Sequence, residues 1–67
     1  MRLTVNGREH VESGEMLSVA ALVARLTEAR RGVAVAVNGT VVPRSTWETS
    51  RLADGDAVEV LTATQGG

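Results

Sequence analysis

Polar and apolar positions alternate at the start of the chain, with Leu3 and Val5 on one side and Arg2 and Thr4 on the other. That is the period of a half-buried strand. Asn6-Gly7 follows. This dipeptide supplies positive φ at both centres of a tight hairpin turn, so a second strand is expected from about Arg8 to Glu12. Ser13 to Leu17 reads as a connecting loop, and Ser18 is a candidate helix N-cap. Val19, Leu22, Val23 and Leu26 recur at i, i+3, i+4 and i+7, a single apolar stripe. The pattern predicts a helix over about 19–31, with Arg30 and Arg31 complementing the dipole in its last turn and Gly32 as a left-handed stop.

Val33 to Val37 is apolar at every position, which calls for a strand buried on both faces or covered by a partner. Asn38-Gly39 is a second hairpin signal leading to a short strand at Val41 and Val42, which Pro43 ends by removing a donor. Ser45-Thr46-Trp47-Glu48 has the spacing of a capping box and predicts one helical turn. Asp54-Gly55-Asp56 is a turn, and Ala57 to Thr62 forms the last strand. The fold class is therefore α+β, a mixed sheet of four to five strands with one helix packed on one face. Residues 1–62 make the domain and 63–67 a flexible tail. A helix between the second and third strands makes a crossover, right-handed if those strands run parallel. One helix covers one face only. The other should carry Thr4, Ala34, Ala36, Glu59, Leu61 and Ala63, in outline a partner-binding surface.

Composition narrows the function. The chain has 67 residues, enough for one small domain, with seven arginines, no lysine, eight carboxylates, one histidine and no cysteine. Without cysteine there are no disulfides, thiol nucleophiles or cysteine zinc sites. A formal charge of −1 offers no basic patch for nucleic acid. No apolar run approaches a membrane span, and nothing resembles a secretory signal, so the expected location is cytoplasmic. Valine and alanine dominate the apolar set, with Trp47 as its one aromatic residue, read as a core filler. His10 falls on a surface strand and reads as solvated; no serine or threonine has a histidine partner. Asp54, Asp56 and Glu59 lack the alternating ligand pattern of a calcium loop. No metal site, bound cofactor or catalytic constellation is expected, and the chain does not read as an enzyme.

The terminus is where chemistry remains. A carboxylate at a mobile end reacts only once activated, for instance as an acyl-adenylate. For that an enzyme must draw the backbone into a narrow channel, and Gly66 and Gly67, lacking Cβ, suit close approach. Five residues from Ala63 onward reach about 17 Å from the sheet.

Together, the strand-turn MRLTVNG, the Ser18-Val19 helix start, VAVAVNG, VVPR followed by Trp47, LADGDAVEVL and terminal Gln65-Gly66-Gly67 resemble the ThiS sulfur carriers of thiamine biosynthesis. The resemblance covers essentially the whole chain in order. It implies a ubiquitin-like β-grasp fold and a sulfur carrier whose terminal Gly67 is adenylated and converted to a thiocarboxylate, with Gly66 allowing threading. The implied partners are a ThiF-type adenylyltransferase, which uses ATP, a ThiG-type thiazole synthase and a cysteine desulfurase relay. Leu61, Ala63, Gln65 and Ala36 would match the docking surface of ubiquitin-like proteins. MoaD-like subunits of molybdopterin synthase usually run longer and carry proline before their glycines. Here Thr64-Gln65 stands there, and Trp47 after VVPR favours the thiamine type. Carriers for cysteine synthesis or tRNA thiolation stay open, as does a plain binding module with an inert tail, which deletion of Gly66-Gly67 would leave functional.

Overall fold

The computed structural model describes residues 1–14, 16–29 and 31–63. The chain runs through strands β1 (Arg2–Val5), β2 (Arg8–Val11) and β3 (Leu17–Ser18), then helix α1 (Val19–Leu26). Strands β4 (Val33–Val37) and β5 (Thr40–Val41) follow, then a 3-10 turn (Arg44–Thr46), β6 (Arg51–Leu52) and β7 (Ala57–Thr62). Five strands form one mixed sheet in the order β2-β1-β7-β4-β5, and β3 pairs with β6 in a separate two-stranded ribbon. The only parallel contact among the described strands joins β1 to β7, with Thr4 opposite Ala57 and Val5 opposite Val58; every other pair is antiparallel. This is the β-grasp arrangement that the resemblance implies. The crossover through α1 links β2 to β4, which run in the same direction but have β1 and β7 between them.

The two Asn-Gly turns fold as the sequence predicts. Asn6 and Asn38 both take φ 52°, followed by Gly7 at 82° and Gly39 at 85°. Both asparagine side chains then do more than turn the chain. Asn6 Nδ2 donates to the Val60 carbonyl at 3.1 Å and its Oδ1 accepts from Val60 N at 2.8 Å. Asn38 Oδ1 accepts from Ala57 N at 2.9 Å. Strand β7 is thus held by side-chain amides from turns on both of its neighbours. Asp54 and Asp56 accept from the backbone amides of Arg2 and Ala53, which is turn chemistry and not a cation loop.

Leu3, Val19, Leu22, Val35 and Val58 are fully enclosed between α1 and the sheet, with Trp47 and Leu52 closing the end near the helix N-terminus. Ser18 Oγ caps α1 by accepting from Ala21 N at 3.0 Å, as expected. Trp47 is buried, and its indole N–H donates to the Val42 carbonyl at 2.9 Å.

Several expectations need correction. The helix stops at Leu26, not near 31, and Arg31 lies outside it; Arg30 lies outside the described residues. Thr27 is extended, and its hydroxyl accepts from Ala29 N at 3.0 Å, taking the amide that a continuing helix would have aimed at the Arg25 carbonyl. Leu26, at the helix end, is consequently half exposed. Gly32 has positive φ but caps no helix. The expected loop before Ser18 holds β3, and Arg51–Leu52 forms β6; both strands are too short to show a period. The 3-10 turn starts at Arg44 after Pro43 and has no side-chain cap, so the capping box is not formed. Strand β4 is enclosed on its valine face only, since Ala34 is exposed.

His10 also differs from expectation. Its partner in register is Leu3, so it faces the helix side of the sheet. There its Nε2–H donates to Glu12 Oε2 at 2.5 Å, and the nearly buried Glu12 carboxylate also pairs with Arg25 of α1. The carboxylate ties the outermost strand to the helix and has both oxygens satisfied.

Candidate partner-binding face and the root of the C-terminal segment

Register decides which side chains share the uncovered face. In the β4–β7 ladder Ala34 stands opposite Leu61 and Ala36 opposite Glu59, while Thr4 of β1 stands opposite Ala57 and Glu9. Thr4, Ala34, Glu59, Leu61 and Ala63 are exposed and Ala36 is half-buried, as expected of a face without a helix. Leu61 is 65% exposed on a strand from the middle of the sheet, where a leucine ordinarily packs. Sequence reading missed Val41 of β5, which lies opposite Ala36 and is 71% exposed. The signal was present, because a two-residue Asn38-Gly39 turn forces Val37 opposite Thr40 and Ala36 opposite Val41. Leu61, Ala34, Ala36 and Val41 form an apolar patch across three strands, with Glu59 beside it. On the β1–β2 side the face becomes polar, where Arg2 Nε pairs with Glu9 at 2.9 Å.

The strand that carries Leu61 leads towards the terminus. Val33 and Thr62 are the last partners in the β4–β7 ladder. One residue further, Ala63 N donates to the Gly32 carbonyl at 2.7 Å. Gln65, Gly66 and Gly67, the other proposed site residues, lie outside the described residues, as does most of the expected tail. Among the described residues no group of three His, Asp or Glu side chains could hold a metal ion. The His10–Glu12–Arg25 cluster lies on the helix side, away from the open face. No described helix is long and apolar enough to cross a membrane.

The geometry has counterparts among known proteins. Residues 1–67 match the ThiS family. The crystal structure of the thiamine biosynthesis protein (ThiS) from Geobacter metallireducens superposes with a TM-score of 0.81 at 40% identity, covering 100% of both chains. An NMR solution structure of a thiamine biosynthesis protein from the same organism gives 0.84 at 40% identity, covering 100% of this chain and 88% of the other. No curated protein matches the chain. With one family matched from the first residue to the last, and the same fold in a protein sharing two residues in five, this chain belongs to the ThiS family.

Proposed function

We propose that the chain is a cytoplasmic sulfur carrier of thiamine biosynthesis, and that Gly67 is the group that carries the sulfur. One observation supports this reading above the others: β7 presents Leu61 on an uncovered face and then leads, within a few residues, to Gly66-Gly67. A partner docked on the face therefore has the terminus within reach. The solved relatives, both described as thiamine biosynthesis proteins, favour that pathway over carriers for molybdopterin, cysteine or tRNA thiolation.

In the proposed cycle a ThiF-type adenylyltransferase binds ATP, and the Gly67 carboxylate attacks the α-phosphorus, releasing pyrophosphate. A persulfide supplied through a cysteine desulfurase then takes the place of AMP at the carbonyl carbon. Cleavage of the remaining S–S bond by a second thiol leaves the thiocarboxylate, which donates its sulfur on a ThiG-type thiazole synthase. Charge stabilisation and proton transfer belong to these partners. The chain contributes Leu61, Ala36, Ala63 and Gln65 as contact surface and Gly66 as a residue with no Cβ to obstruct a channel.

The test is intact mass after incubation with ATP, cysteine, a desulfurase and the organism's own adenylyltransferases. The expected outcome is a gain equal to exchanging one oxygen for sulfur, absent when Gly67 is removed. The adenylyltransferase that succeeds identifies the pathway. No gain with any of them would leave a binding module whose terminus is inert.

A further inference from the structure

Five described glycines have positive φ, and four of them, Gly7, Gly14, Gly39 and Gly55, have open space where a Cβ would stand. Gly32 differs. At φ +69° a Cβ built on it would lie 2.9 Å from the Ala63 Cβ, closer than such atoms pack. The same residue's carbonyl accepts the Ala63 amide at 2.7 Å. Capping does not explain this glycine, because α1 ends at Leu26. Its missing side chain makes room for the chain leaving β7, and its backbone holds that chain.

We propose that Gly32 is a positioning residue for the C-terminal segment. Its bare Cα and its carbonyl together seat Ala63, so that the tether to the terminus, residues 64–67, is joined to a fixed residue. The proposal rests on the carrier reading for its functional meaning. Seating Ala63 leaves at most the four residues after it to enter a partner's site, a reach of no more than about 14 Å at full extension. It also fixes the tether's starting point to β4 and β7, the most extensively paired strands of the sheet. Both matter when a reactive end must be delivered to a fixed point, where an error of about 1 Å costs on the order of a hundredfold in rate.

The experiment compares the full chain with Gly32→Ala, Ala63→Gly and the double variant. In Gly32→Ala the new methyl displaces Ala63. Its amide should then lose at least about tenfold of its protection from hydrogen exchange, while Val35 and Val58, deep in the sheet, keep theirs and report that the domain is folded. Pyrophosphate release with the partner adenylyltransferase should show kcat lowered about tenfold and KM within about twofold, since Leu61 and Ala36 of the docking face stay in place. Ala63→Gly, which removes one methyl from the contact surface, sets the reference level of both readouts for the double variant. In the double variant the methyl at 32 has room, although the φ of +69° still disfavours it, and both protection and kcat should return most of the way to the Ala63→Gly values. Unchanged protection at residue 63 in Gly32→Ala overturns the proposal, as does a double variant that regains protection without regaining kcat. A wild-type chain that releases no pyrophosphate overturns the carrier reading instead, and with it the positioning role, while the exchange series still reports whether Gly32 seats Ala63.

Discussion

Asn6 and Asn38 begin two-residue turns, and a glycine at either place would serve the turn equally well. What glycine would lose is the pair of hydrogen bonds between the Asn6 side-chain amide and the Val60 backbone, which join positions 54 residues apart. Each such bond contributes on the order of 1 kcal/mol, so Asn6→Gly should cost about 2 kcal/mol. Urea unfolding would register this as a lower midpoint with unchanged slope. The turn itself was legible from the Asn-Gly dipeptide. The long-range bonds were not, because nothing in local pattern says what a turn side chain will find beside it after folding. The same limit applies to His10. Alternation put it on a surface strand, but its environment is set by Glu12 two residues on and Arg25 of the helix.

At the scale of elements, strands with a clear period were legible almost to the residue: β7 runs from Ala57 to Thr62 as expected, and the valines of β4 face the helix. The helix was legible at its start, where Ser18 supplies the cap, and overextended at its end. Apolar and arginine residues past Leu26 continue a helical composition, whereas the stop comes from one hydroxyl, Thr27, capturing one amide. The uncovered face was readable from strand alternation, apart from Val41. Because Leu61 is mostly exposed and lies outside the enclosed core, Leu61→Arg should change stability by less than about 0.5 kcal/mol. It should nevertheless abolish engagement of the adenylyltransferase, measured as a raised KM for the carrier with an unchanged urea midpoint.

For the whole molecule, α+β with one helix on a mixed sheet followed from the order of elements. The place of the last strand did not, because pairing β1 with β7 joins opposite ends of the sequence and leaves no local trace. Among the described residues the enclosed apolar cluster extends from Leu3 to Val60. A chain ending at Ala63 keeps all of it and should unfold at the same urea concentration as the full chain while taking no sulfur, which separates folding from carriage. The central, parallel placement of β7 also bears on force. A partner drawing the terminus into a channel pulls along β7, and hydrogen bonds to β1 and β4 flank that strand on both sides. The load then falls on many bonds in shear at once, not on one bond after another as in peeling an edge strand. The domain can be tugged by its C-terminal end without being unravelled.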